Sequence, residues 1–319
     1  MAYFSALVVR IHVLMGMVLG VFFAAFGLTG AALAFRPTLE ERLYWPVCTS
    51  CALESGQWEA AAARLTSEGK RVTEVRLREG RTWEFVGLGP DGSGAVSVYV
   101  NPGDGAEVAR RNHADSAFAW IYELHTSLLF GKFGMQMVAR LGLLLVLQGV
   151  LGMLVWRFRG FPVHGHALLG ISAGVVAILL GYSGWAVFTK RVSRVQPVVT
   201  LRGVENKVPL DRIVRTALAR RPGRRIESIH FPGAPSQPYQ FWFGDRASAA
   251  GIVYMDPYGA ALPMPMREED NTMRDWHRGP AGGGGGRMLR LLAGMGLAGL
   301  FGSGVARMIA RRKSIALQS

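Results

Sequence analysis

Neutral imidazole is a common protein ligand for transition metals, and two histidines in this chain open membrane-length apolar runs. His12 lies in RIHVLMGMVLGVFFAAFGLTG (10–30) and His166 in HGHALLGISAGVVAILLGYSG (164–184). Aligned on the histidines without a gap, Gly16 falls with Gly170, Gly20 with Gly174, Gly27 with Gly181, Thr29 with Ser183 and Gly30 with Gly184. Glycine is 41 of 319 residues, so one match means little. Four at fixed offsets behind a matched histidine indicate a duplication. On a helix the offsets +4, +8, +15 and +18 fall within about 80° of the histidine, so each set shares one face. One use of such a face is close helix packing through small residues. The other is to seat a large flat cofactor, with histidine supplying an axial nitrogen and glycine leaving room for the macrocycle.

Two further histidines continue the repeat. His125 in WIYELHTSLLFGKFG follows His12 by 113 residues, and His277 in DWHRGPAGGGGG follows His166 by 111. Gly131, Gly134 and Gly152 stand at +6, +9 and +27 from His125, and Gly283, Gly286 and Gly304 at the same offsets from His277. Four histidines therefore sit on four candidate spans in two layers. His12 and His166 lie at cytoplasmic ends, and His125 and His277 precede spans at external ends. Ionisable residues in spans are expensive and functional by default. Imidazole pairs from facing helices suit haem iron, so the reading is two bis-His b-type haems. No C-x-x-C-H is present, so attachment is expected to be non-covalent. Carboxylates are nearly absent from the spans, which disfavours di-metal sites.

Other reactive residues receive plainer readings. Cys48 and Cys51 form C-x-x-C in PVCTSC and are expected to pair as a structural disulfide in an oxidising compartment. His164, two residues before His166, points to roughly the opposite face and is read as interfacial; it is the alternative to His166 as a ligand. His113 and His230 are read as ordinary surface histidines. Gly282–Gly286 is a flexible approach to the fourth span, because no strand precedes it and no GK[ST] follows.

The elements that position these residues follow from composition. Half of the residues are hydrophobic and 18% charged, rich for a soluble protein. The expected organisation is a cytoplasmic N-terminus (1–10), transmembrane 1 (11–35), a periplasmic domain (36–120), an edge helix with transmembrane 2 (121–157) and a cytoplasmic loop (158–163). Transmembrane 3 (164–189), a second periplasmic domain (190–276), a Gly-rich segment with transmembrane 4 (277–306) and a cytoplasmic tail (307–319) complete it. The apolar run of the first span exceeds that of a cleaved signal peptide, so it is read as a retained anchor. Net charge is +14. Arg10, Arg157, Arg159, Arg307, Arg311, Arg312 and Lys313 crowd the short segments without an acid, which places both termini inside. The bases are dispersed and form no nucleic-acid motif. The long segments repeat too. VYVNPGDGAE (98–107) and VYMDPYGAA (253–261) each read as a strand ending in a turn, downstream of helical stretches at 57–69 and 209–221. The fold class is an α-helical membrane protein, a four-span bundle from two parallel repeats, with two periplasmic α+β domains. From His125 to Arg157 is 32 residues, about 48 Å if helical throughout, which would put the external histidines at or above the membrane surface.

These residues resemble bacterial inner-membrane proteins with PepSY-associated transmembrane helices, a family that includes ferric-siderophore reductases. The resemblance rests on RIHVLMGMVLGVFFAAFGLTGAALAF, ELHTSLLFGKFG, GHALLG, VYVNPGDG and VYMDPYGA, and it covers nearly the whole chain. It implies PepSY-like external domains and a haem-bearing core passing electrons outward to ferric iron, with His12, His125, His166 and His277 as the span histidines. No Rossmann or flavin fingerprint is present, so the donor is a separate cytoplasmic protein or a quinol. The expected partners are thus membrane lipid, that donor and a ferric siderophore in the periplasm. The alternatives are a non-enzymatic PepSY anchor for a periplasmic protein and a haem-handling protein that reduces nothing.

Overall fold

A computed structural model describes residues 2–48, 57–89, 94–159, 165–189, 199, 207–243, 251–262, 277 and 284–316. The chain divides into two compact units. One holds residues 1–37, 120–192 and 270–319, the other residues 38–119 and 193–269.

The first unit is built on α1 (Ala2–Tyr44), α4 (Gly131–Arg159), α5 (Gly165–Thr189) and α7 (Gly284–Ala316). Each is long and apolar enough to cross a membrane, and the chain is a multi-pass membrane protein. Leu14, Val18, Leu147, Val175, Leu179 and Leu292 stand exposed on these helices, as lipid-facing residues must. The interior core is small: Phe23, Leu141, Leu145, Ala177 and Leu297. Lipid tails are as apolar as leucine, so close backbone approach does the work instead. A Cβ on Gly27 would lie 2.9 Å from the Gly294 carbonyl oxygen, and one on Gly181 2.7 Å from that of Gly142. These glycines allow α1 to meet α7 and α5 to meet α4.

The edge helix expected ahead of transmembrane 2 is a separate element. A short helix α3 (Ala117–Ser127) ends before α4 begins, and Leu128, Leu129 and Gly131 have φ of 51°, 67° and 54°. Left-handed backbone is costly for leucine and free for glycine. A Cβ on Gly134 would overlap the Ser127 carbonyl, so the junction in LLFGKFG depends on the glycines at both places. Apolar continuity hid this break. His125 rides on the separate short helix.

The second unit is one antiparallel sheet. Its helices are α2 (Gln57–Ser67) and α6 (Leu210–Ala219), and its strands β1 (Arg71–Arg76), β2 (Trp83–Leu88), β3 (Val96–Val100), β4 (Glu107–Asn112), β5 (Ile226–His230), β6 (Tyr239–Phe243), β7 (Ile252–Met255) and β8 (Ala261–Leu262). The order is β4-β3-β2-β1-β5-β6-β7-β8. The two soluble segments, expected as separate domains, are joined at a central seam where Glu74, Val75 and Arg76 pair with His230, Ile229 and Ser228. Apart, each half would leave a long strand edge unpaired. Phe85, Val75, Leu65, Ile213, Ile229, Phe241 and Met255 form one core drawn from both halves. Glu59 of α2 accepts from the Leu210 amide at 2.8 Å, satisfying an open donor at the start of α6.

Candidate functional site: four histidines on four glycines

In the outer layer His125 rests on α1 and His277 on α5. The His125 ring comes within 3.0 Å of where a Cβ on Gly30 would sit, and the His277 ring within 3.1 Å of the same place on Gly184. His125 Nδ1 is 3.0 Å from Thr29 Oγ1, and His277 Nδ1 is 3.1 Å from Ser183 Oγ. The two imidazoles lie with centroids 6.2 Å apart and planes tilted by 32°. Phe26 packs edge-on against His125 at 6.0 Å.

In the inner layer the roles of the helices reverse. His12 on α1 reaches α4, 3.2 Å from a Cβ on Gly152, and His166 on α5 reaches α7, 3.7 Å from one on Gly304. His166 Nδ1 lies 2.8 Å from Ser303 Oγ, and the ring is within electrostatic reach of His12 and Arg307. The buried Nδ1 of His12 has no hydrogen-bond partner among the described residues. All four histidines thus rest on a glycine of a neighbouring helix. Three are held by the hydroxyl residue just before that glycine.

Those hydroxyls determine the tautomer. Each has a single hydrogen to give. Thr29 Oγ1 gives it to the Ala25 carbonyl at 2.7 Å, Ser183 to Leu180 at 3.1 Å and Ser303 to Leu300 at 3.1 Å. With that hydrogen on the carbonyl, each oxygen accepts toward the ring, Nδ1–H donates and Nε2 keeps its lone pair. This is how second-shell groups orient a metal-ligating histidine. A metal–imidazole bond of about 2 Å on either side of one ion puts ring centroids roughly 6 Å apart, close to the outer pair. Among the described residues no three His, Cys, Asp or Glu side chains gather as a metal site. A two-imidazole donor set suits a metal that brings its own equatorial ligands, and the residues present fit haem.

Of the two uses weighed from sequence, close packing is the one these contacts display, and the seating of histidine rings is an addition to it. Gly27 and Gly181 serve backbone packing, and Gly30 and Gly184 admit histidine rings. A Cβ on Gly16 would meet Gln148 at 3.0 Å and one on Gly20 would meet Phe301 at 2.5 Å, while Gly174 faces open space. Three contributors escaped the sequence reading. Gly142 and Gly294 share offset +17 from His125 and His277, so the signal was present. Ser303 has Leu151 at its equivalent position, and an unmatched pair gives no repeat signal.

A second polar cluster occupies the sheet face opposite the core. Glu84, almost fully buried, accepts from Ser97 Oγ at 2.5 Å and from the Tyr99 hydroxyl at 3.4 Å. It also faces Arg76 at 3.3 Å and Arg111 at 3.8 Å. Arg111 pairs with Glu40 at 3.2 Å and stacks on Tyr44 at 4.7 Å. His113 Nε2 is 2.7 Å from Ser97 Oγ; that hydroxyl's hydrogen goes to Glu84, so His113 donates. Burial, then the Arg111 charge, hold the His113 imidazole below its usual value. Burial, then Glu84, push the Tyr99 phenol up to about 12. His230 lies 3.8 Å from Glu74. Both histidines expected at the open surface are therefore half-buried in this face, carried there by strand pairing that local sequence does not show. Ser97 is fully buried, so its contact with His113 offers no accessible nucleophile.

Cys48 Sγ is 3.5 Å from Asn101 Oδ1. Its expected partner Cys51 lies outside the described residues, as does His164.

No curated protein matches the chain. The family model described as the PepSY-associated TM region matches residues 9–312, and the chain belongs to that family.

Proposed function

We propose that the chain is a di-haem oxidoreductase of the bacterial inner membrane, made of two parallel span–domain–span copies. Its termini would be cytoplasmic and its sheet periplasmic, as the seven bases on the short segments require. The observation that carries this reading is the recurrence of one seat four times: a histidine on a glycine of the next helix, with three of the four rings hydrogen-bonded at Nδ1 to a hydroxyl. A b-type haem held between His12 and His166, and another between His125 and His277, would supply one-electron transfer from a cytoplasmic donor or quinol to a periplasmic ferric siderophore.

The chain's own part is orientation and spacing. Thr29, Ser183 and Ser303 fix three rings with Nε2 bare. Gly30 and Gly184 each stand 18 positions beyond the inner histidine of the same helix, about 27 Å along the axis. With α3 separate from α4, His125 sits at the level of Gly30, and the 48 Å expected of an unbroken helix does not apply to it.

Haem content and pairing test the reading. Purified full-length protein should hold about two haems per chain, extractable by acidic acetone because no thioether attachment motif exists. His12→Ala and His166→Ala should disturb one spectral component, and His125→Ala and His277→Ala the other. Correctly folded protein without haem, from haem-replete cells, would leave a non-enzymatic membrane anchor as the better description.

A further inference from the structure

The four histidine seats are alike except one. Beside Gly30, Gly184 and Gly304 stand Thr29, Ser183 and Ser303, and each hydroxyl bonds Nδ1 of the histidine that rests there. Beside Gly152 stands Leu151, buried and without a polar atom to offer. The His12 ring seated on Gly152 is the one whose buried Nδ1 lacks a hydrogen-bond partner. The main chain of Gln148 lies beside that ring but supplies no bond of acceptable geometry. The Gln148 side chain acts elsewhere: its Nε2 donates 3.1 Å to the His12 carbonyl, in the space left by the missing Cβ of Gly16. Its Oε1 is also buried without a partner. Counted from His277, Leu300 occupies the position that Gln148 occupies from His125. The two halves have thus exchanged polar and apolar residues, Gln148 and Leu151 against Leu300 and Ser303.

We propose that Leu151 leaves His12 as the loosely held member of the four histidines, with α1 fixed at this point through its main chain by Gln148 while the imidazole keeps rotational freedom. This rests on the reading of His12 and His166 as one ligand pair. A ring hydrogen-bonded through Nδ1 is both better oriented and more basic at Nε2. His166 has that bond and His12 lacks it, so the inner pair is asymmetric and its cofactor is the more readily released of the two. Ser303 and Leu151 are positioning residues, acting through the histidines they stand beside.

Installing the missing hydroxyl tests this. In full-length protein purified with its haem, Leu151→Ser is compared with Leu151→Ala, which removes the same bulk without adding an acceptor. Haem loss to an excess of a haem-free acceptor protein is followed for each spectral component, together with its midpoint potential. Leu151→Ser should slow loss from the inner component about tenfold or more relative to Leu151→Ala and lower its potential, leaving the outer component unchanged. Ser303→Ala should speed loss from the same component, and Thr29→Val loss from the other. Equal rates and potentials for Leu151→Ser and Leu151→Ala, in protein that holds both haems, would overturn this inference alone. A response in the component that Thr29→Val moves would overturn it too. Folded wild-type protein holding no haem would overturn the reading on which it rests.

Discussion

On the helices, His125 rests on Gly30 beside Thr29 and His277 on Gly184 beside Ser183. On the sheet, Glu84 pairs across from Tyr99 and Gln240 across from Tyr254, so the same register carries a charge in one half and a neutral amide in the other. The contrast extends along the face. Ser97 opposite Val86 corresponds to Ile252 opposite Trp242, and Glu74 to Ser228. In the first half a buried carboxylate is balanced by Arg76 and Arg111; in the second, Trp242, Ile252 and Tyr254 form an apolar cluster. The sheet tolerates either solution because a buried polar group needs partners rather than a particular identity. The histidine seats tolerate less: all four rings lie on a bare Cα, and three of the four find a hydroxyl one residue away.

Three experiments break or sharpen this comparison. The largest effect is expected where the halves agree. Gly27→Leu and Gly181→Leu each drive a side chain into the backbone of a facing glycine, at a cost of about 3 kcal/mol or more. Thermal melts of the detergent-solubilised variants should fall together; a large gap between them would break the equivalence of the helical halves. Glu84→Gln, which copies the second half into the first, comes next. Arg76 keeps Glu74 and Arg111 keeps Glu40, so the loss is held to about 2 kcal/mol, below the usual cost of breaking a buried pair. If denaturant midpoints did not move, the charge difference between the halves would carry no energetic weight. The smallest effect is a pH dependence carried by His113 of the first half. His113 is held below its usual value by burial and Arg111, so the unfolded chain binds its proton first as pH falls. Its contribution is complete above about 6.5, the unfolded value, and is lost as pH drops through the folded one. Melting temperatures measured across that range should decline on the acid side, and less steeply in His113→Gln.

Much of the helical unit was legible because the spacing of His12, Gly16, Gly20, Gly27 and Gly30 recurs intact. Local composition also located both turns: the Asn101 amide donates to Ala106 and the Asp256 amide to Ala260, each at 2.9 Å, with Gly105 and Gly259 at φ of 69° and 89°. Other features were not legible, for separable reasons. The break at Leu128–Gly131 is written in backbone torsion, and the apolar pattern runs through it unchanged. The β1–β5 seam depends on edges that have no neighbour within their own segment, a property of two distant stretches taken together. The inner seat glycines, Gly152 and Gly304, matched, but the polar residues beside them hid because Gln148 and Ser303 differ from their counterparts, and a search for repeats finds only what has stayed the same.

The seam also sets a timetable. β1 ends at Arg76 and its partner β5 begins at Ile226, so α3, α4 and α5 must all be made before the central pairing can form. At about 5–20 residues per second of synthesis, that gap lasts roughly 8 to 30 seconds. A first half that forms its own three strand pairings in that time presents β1 as an open edge, a template for any passing strand. The strand that waits reads RVTEVR, with Arg71, Glu74 and Arg76 along its six residues. Charge on a temporarily open edge discourages a wrong partner until the right one has been synthesised.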